Sequence, residues 1–278
     1  MADFSVVTNI GALNAQNQLI KSQRGLSVTI NRLSSGLRIN GAKDDAAGLA
    51  IAETLRADVA ALNQGIRNAN DGIGVINVAD SALGEIGNLL QRAVTLAEQA
   101  ASETSGEDSS TSKQAINDEY NQILAEIDRI AATVEFNGVS LLSGSGASID
   151  VQVGTGASAN DRITIQTSAV SSSGLGLSSG SLLTASGARD ELVNLQSAID
   201  TISSNRGDLG AYYNRLEHTI AVITVQAENL KAAESQIRDA NVAQEVVNLT
   251  KFQVLNQTGL SALAQANMTS QSVLALLR

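Results

Sequence analysis

Four groupings in this chain have side chains suited to chemistry, and each meets an obstacle. Asp44 and Asp45 could serve as paired carboxylates, but they are adjacent, and with Lys43 beside them a charge cluster at a helix start fits better. His218 is the only histidine and cysteine is absent. One chain therefore cannot build a two-histidine relay, an H-E-x-x-H zinc site, a thiolate nucleophile or a Cys-ligated metal. Gly72-Ile73-Gly74 is a lone G-x-G inside a helical repeat with no strand before it, short of a phosphate-binding loop. The Ser-rich tracts have no nearby base. These residues predict no enzyme, no catalytic residue, no cofactor and no metal.

Composition turns attention to the elements instead. The 278 residues contain no proline and no tryptophan, and the only aromatics are Phe4, Phe136, Phe252, Tyr120, Tyr212 and Tyr213. Any core is then built from Ala, Leu, Ile and Val, which favours thin helical layers over a deep interior, and nothing interrupts long helices. The net charge is −10. Residues 1–40 are mildly basic, with Lys21, Arg24, Arg32 and Arg38 against Asp3, and the acid is concentrated in the middle. An acidic body argues against nucleic acid as a partner. No apolar run approaches the length of a membrane span, so no membrane insertion is expected. Met1 to Gln16 lacks the basic start and apolar core of a secretory signal. Composition alone describes a soluble cytosolic protein.

From Ile10 to Leu37 the pattern is helical but thin: Leu19, Leu26, Ile30, Leu33 and Leu37 stand among Gln, Asn and Ser. A stripe so sparse needs a partner helix. Asn40-Gly41 and Lys43-Asp44-Asp45 then form a joint, with a bend expected at Asn40-Gly41 and a new helix starting near Ala47. The heptad that follows is strong, through Leu55, Val59, Leu62, Ile66, Ala69, Ile73, Ile76, Leu83, Leu90, Val94 and Ala97. Glycines 65, 72, 74, 84 and 87 lie within it, as sites of close approach or of local bends. A polar turn at 102–112 leads to a second rod through Ile116, Tyr120, Ile123, Ile127, Ile130 and Val134, expected to lie antiparallel to the first.

After Asn137-Gly138 the period becomes 2: Ile149, Val151 and Val153, then Ile163 and Ile165, read as a β-hairpin across the 154–160 connection. Residues 169–187, mostly Ser, Gly and Leu, read as a surface connection without a core. The heptad returns through Leu195, Ile199, Ile202, Leu209, Tyr213, Leu216, Ile220 and Ile223, then thins at Val246, Leu249, Leu260 and Leu263, interrupted by Gln253 and Asn256. The two thin ends share a character and are expected to pair.

Those ends also carry a resemblance. Residues 33–40 (L-S-S-G-L-R-I-N), 42–48 (A-K-D-D-A-A-G) and 67–72 (R-N-A-N-D-G) resemble the N-terminal signature of bacterial flagellin. Ala227 to Glu245, with S-Q-I-R-D-A at 235–240, then L-A-Q-A-N at 263–267 and the terminal Leu274 to Arg278, resemble its C-terminal signature. The resemblance covers residues 1–167 and 188–278, leaving only a short variable connection.

It implies a mainly α fold: long antiparallel helical rods or coiled coil, a small β-hairpin region, and terminal helices disordered in the monomer. The implied division is an N-terminal inner coiled-coil segment, 1–40; an outer rod with the hairpin, 41–167; the connection, 168–187; the rod's C-terminal helix, 188–236; and a C-terminal inner segment, 237–278. The function implied is that of a structural subunit polymerising into the flagellar filament for swimming motility, with a hook–filament junction protein as the alternative. It further implies type III export, secretion into the filament, a homopolymer, and an export chaperone, a filament cap and junction proteins as partners.

Leu26, Ile30, Leu33, Leu37, Val246, Leu249, Leu260 and Leu263 are the expected packing residues of the inner layer. Arg38, Lys43, Asp44 and Asp45 are the expected spoke and intersubunit residues. Gln91, Arg92, Leu96 and Glu119 match an assembly surface that the innate flagellin receptor also reads. Val94 and Thr95 replace an Arg-Glu pair there, which predicts weak signalling.

Overall fold

The structure, a computed structural model, describes residues 8–102, 110–177 and 180–276, the side chains of residues 110 and 270–276 excepted. Most of the turn expected at 102–112, and the last two residues of the terminal run, lie outside the described residues. The chain divides into a terminal unit, Met1–Ala57 with Asn229–Arg278, and a central unit, Asp58–Glu228.

In the terminal unit, α1 (Ile10–Ser35) starts at Asn9, whose side chain accepts the Ala12 N–H at 3.0 Å. It ends at Gly36, in the left-handed region at φ 73°. The chain turns at Gly36, where the left-handed cap suits glycine, and again at 41–44, where the Asp44 N–H donates to the Gly41 carbonyl at 3.0 Å, so the bend expected at Asn40-Gly41 is present but is the second of two. Asp45 then starts α2 (Ala46–Ala101), accepting the Gly48 N–H at 2.9 Å. The terminal unit also holds the end of α4 (Ala185–Arg238) and all of α5 (Val242–Leu276).

The central unit has α2, α3 (Ser110–Thr133) and α4 around two small antiparallel hairpins. β1 (Glu135–Phe136) and β2 (Val139–Ser140) close over Asn137 and Gly138, at φ 51° and 79°, the two positive φ values of a tight hairpin turn. β3 (Ser148–Gln152) pairs with β4 (Arg162–Gln166), Ile149 opposite Ile165 and Val151 opposite Ile163. Val151, Val153, Ile163 and Ile165 are buried, as the alternation predicts.

On α2 the heptad holds with one displacement. Leu62, Ala69, Ile76, Leu83, Leu90 and Ala97 are buried at every seventh position. The companion positions are not Ile66, Ile73 and Val94, which are half-buried, but Gly65, Gly72, Ala79, Ile86, Ala93 and Ala100. Small residues win there because the neighbours come close. A Cβ on Gly65 would stand 2.5 Å from the Val153 carbonyl oxygen, and one on Gly72 would stand 3.0 Å from Val151 and 3.3 Å from Leu216. Nothing lies within 4 Å of a Cβ on Gly84 or Gly87. On α4, Leu195, Ile202, Leu209, Leu216 and Ile223 are buried, whereas Tyr213, expected on the seam, is exposed.

The connection before α4 differs from its expected surface course. Val170, Leu175, Leu177 and Leu182 are all buried. The Asp128 carboxylate accepts the Ser172 N–H at 2.7 Å and its hydroxyl at 2.8 Å, and Asn117 accepts the Leu182 N–H at 2.9 Å. The Ser/Gly background obscures four apolar anchors, and the buried Asn117 and the exposed Asp128 of α3 accept backbone N–H groups beside them. Beside it the buried Tyr120 hydroxyl donates to the buried Glu191 carboxylate, which also accepts from Asn194 at 3.0 Å.

Candidate functional site

The groups first considered for chemistry do not converge. His218 is exposed, Gly72 and Gly74 lie inside α2, and among the described residues no group of three His, Asp or Glu could hold a metal ion. Asp44 and Asp45 serve as backbone acceptors, Asp44 taking the Asn40 N–H at 3.1 Å and Asp45 capping α2.

The structure instead brings the two chain ends together. α1 packs antiparallel along α5. Near one end the Asn9 side-chain amide donates to the Ala266 carbonyl at 2.9 Å. Further along, a Cβ on Gly259 would lie 3.3 Å from Leu19 Cδ1, and one on Gly25 would lie 2.5 Å from the Phe252 ring. Arg32 meets Glu245 at 3.4 Å. Beyond it the segment after α1 bonds directly to the segment before α5: Leu37 bridges Asp239, Arg38 N–H donates to the Arg238 carbonyl at 2.7 Å, and Ala240 N–H to the Gly36 carbonyl at 2.9 Å. Arg238 is anchored in turn to Glu53 at 3.2 Å.

Of the expected packing residues, Leu26, Leu33, Leu37, Leu249 and Leu263 are half-buried on or beside this seam. Ile30, Val246 and Leu260 point away, at 48%, 44% and 54% exposure. The seam positions missed by periodicity are Ser22, Thr29, Phe252 and Gly259, and Asn256, read as an interruption of the step, lies on the seam with them. They continue the 4,3 step, but only Phe252 is large and apolar. Of the spoke residues, Arg38 spends one guanidinium nitrogen on the Ile237 carbonyl at 2.7 Å, and Lys43 is exposed.

On the central unit, Arg92 grips Glu119 through two nitrogens at 3.0 and 2.7 Å, and Gln91 beside it is exposed. Leu96, expected on the same surface, is only 2% exposed and lies instead in the core beside the buried Ala93, Ala97 and Ala100.

The paired helical chain ends leave apolar residues outside the pairing, and family comparison says which family has such ends. The family model described as bacterial flagellin N-terminal helical region matches residues 6–147, and that described as bacterial flagellin C-terminal helical region matches residues 192–277. The chain belongs to the bacterial flagellin family.

Like flagellin FlaB1 of Treponema pallidum, it runs nearly end to end with its relatives: 39% identity over 97% of this chain and 98% of that one. It is 42% identical to a flagellin of Halalkalibacterium halodurans and 37% identical to a flagellin of Bacillus subtilis, with 97% of this chain and 98% of theirs covered in each case. A crystal structure of Bacillus cereus flagellin superposes with a TM-score of 0.49 at 33% identity, covering 60% of this chain and 94% of that one. This flagellin is a structural subunit of the bacterial flagellar filament and not an enzyme, and the matches favour that role over a hook–filament junction protein.

Proposed function

We propose that α1 and α5 form the layer through which copies of this flagellin add to one another, and that this layer becomes fully ordered only when further copies cover it. One observation carries the proposal. Among the described residues of the terminal unit, only Ile39 and Ala52 are buried apolar side chains, while Ile10, Leu13, Ile20, Val28, Ile30, Val242, Val246, Val247, Val254, Leu255, Leu260 and Met268 are exposed. Fixing a residue's backbone costs roughly 1–2 kcal/mol, and so little burial offsets it poorly over two long helices. A second copy supplies the missing burial, so folding and addition are one event. The same patch meeting a different patch on the next copy, without closure, generates an open helical filament.

Hydrogen exchange tests this directly. Residues 10–35 and 242–269 should exchange at least 100-fold faster in dilute monomer than in filament, with α2 to α4 protected in both. Equal protection of the ends in monomer and filament would refute the proposal.

The same role calls for type III export to the filament tip and for an export chaperone, a filament cap and junction proteins. α5, apolar on several faces, is the segment a chaperone has most reason to shield before export. The exposed Gln91 and Arg92 and the half-buried Glu119 lie on a surface suited to neighbouring copies and to the innate receptor, Lys43 being a further intersubunit group. With Val94 and Thr95 in place of an Arg-Glu pair, receptor signalling should be weak. Full activity at low dose in a receptor reporter assay would overturn this.

A further inference from the structure

We propose that Gly25 and Arg32 on α1, with Phe252 and Glu245 on α5, form a two-part key that fixes the register of the helix pair. The inference rests on α1 and α5 being the assembly layer and concerns what holds them in one alignment.

The rest of the seam is permissive. Along α1 it runs through Ala12, Ala15, Leu19, Ser22, Leu26, Thr29 and Leu33, a set of small and medium side chains that repeats every seven residues. A slide of one heptad exchanges like for like at most of these positions, and nothing in the apolar pattern forbids it. Two contacts do. The Phe252 ring occupies the space a side chain on residue 25 would need, with Cε1 and Cζ 2.5 Å from a Cβ placed on Gly25. One heptad along both helices, Arg32 Nη1 meets Glu245 Oε1 at 3.4 Å.

Stability alone does not account for that ion pair. The Glu245 side chain is 10% exposed, yet its Oε2 and the Arg32 Nε have no hydrogen-bond partner. A buried pair left partly unsatisfied is a poor stabiliser, and a polar group on a helix seam is best suited to setting alignment. The two contacts reinforce each other because they are spaced by the same seven residues that a slip would cover. Sliding one way drives Phe252 against Arg32 and faces Gly259 with Gly25, leaving a void. Sliding the other way places Phe252 over Gln18 and sets Glu245 against Gly25 without a cation.

The absence of cysteine allows a direct readout. A Cβ on Gly259 lies 3.8 Å from Leu19 Cβ, the separation typical of a disulfide at about 3.8 Å. L19C/G259C therefore reports the native register, and L19C/A266C and A12C/G259C report one-heptad slips in the two directions. In filaments of the otherwise unaltered chain, oxidation should link only the 19–259 pair. In the background G25A/F252L/R32L/E245L, with both parts removed and only apolar or small groups added, the slipped pairs should rise at least tenfold above their background. If that variant still links 19–259 alone, the key is refuted. Should it not pellet as filaments, its co-assembly as a minor component onto seeds of the unaltered chain, with oxidation read by peptide mapping, decides the matter in the same way. Failure of the unaltered chain to form filaments would instead count against the assembly role.

Discussion

Two glycines of α2 that look alike in sequence should respond oppositely to alanine. At Gly65 a methyl group would strike the Val153 backbone carbonyl, which cannot swing aside. Gly65→Ala should lower stability in urea melts by about 1–3 kcal/mol, the usual cost of overpacking. At Gly84 the space is open, so Gly84→Ala should raise stability by up to about 1 kcal/mol by removing helix-interior glycine. Tyr120 supplies a second contrast. Burial, and then the Glu191 carboxylate, hold its phenol well above the ordinary value of 10.0. The unfolded chain releases that proton near pH 10 while the folded chain keeps it, so Tyr120 lowers stability progressively above about pH 10 and has no such effect below. Tyr120→Phe should flatten that alkaline decline, and at pH 7 should cost about 1–3 kcal/mol for leaving a buried Glu191 oxygen without its donor. A parent and variant with parallel stability curves from pH 9 to 11.5 would contradict the assignment. None of these distinctions is legible in a heptad, because neighbouring positions on one helix are chosen by what comes to face them from another.

At the scale of elements the sequence is a better guide. The 7-residue spacing marks α2 and α4 because every seventh residue returns to nearly the same side of a helix. The period-2 run marks β3 and β4, and Asp45 marks the start of α2. The β1–β2 hairpin was readable in Asn137-Gly138 but stands out weakly between strands of two residues. The strap from Val170 to Leu182 was obscured because its Ser and Gly content describes a loop, while its four anchors depend on acceptors more than 40 residues away in sequence. Asp128 is the most informative of these, since its carboxylate takes both the N–H and the hydroxyl of Ser172. Asp128→Ala should cost about 1.5–3 kcal/mol, as expected when hydrogen bonds to a charged acceptor are lost. It should also expose residues 170–177 to limited proteolysis while sparing α2 and α4. If cleavage in the strap is no faster than in the parent, the buried leucines alone hold it.

For the whole molecule, the proposed assembly role of the terminal unit divides folding from association between the two units, and substitutions should separate them. Ile30, Val246 and Leu260 stand outside the α1–α5 seam and are about half exposed, at 48%, 44% and 54%, so they contribute little to the isolated chain. Surface changes of this kind usually shift stability by less than about 0.5 kcal/mol each. If adding copies cover these side chains, the exposed half of each is worth on the order of 1 kcal/mol, since full burial of such a side chain gives about 1.5–3 kcal/mol. The triple variant Ile30→Ala, Val246→Ala, Leu260→Ala should therefore leave the thermal unfolding midpoint of dilute monomer within about 2 °C of the parent. Its critical concentration for seeded polymerisation should rise about 100-fold, because about 3 kcal/mol corresponds to two decades of affinity. Leu26→Ala with Leu263→Ala belongs to the other class. Those side chains lie on the seam, and their loss should reduce protection of α1 and α5 within the filament itself. Should the triple variant polymerise at the parent's critical concentration, the outward apolar residues are not where copies meet, and association must rest on the seam and the charged surface of the central unit.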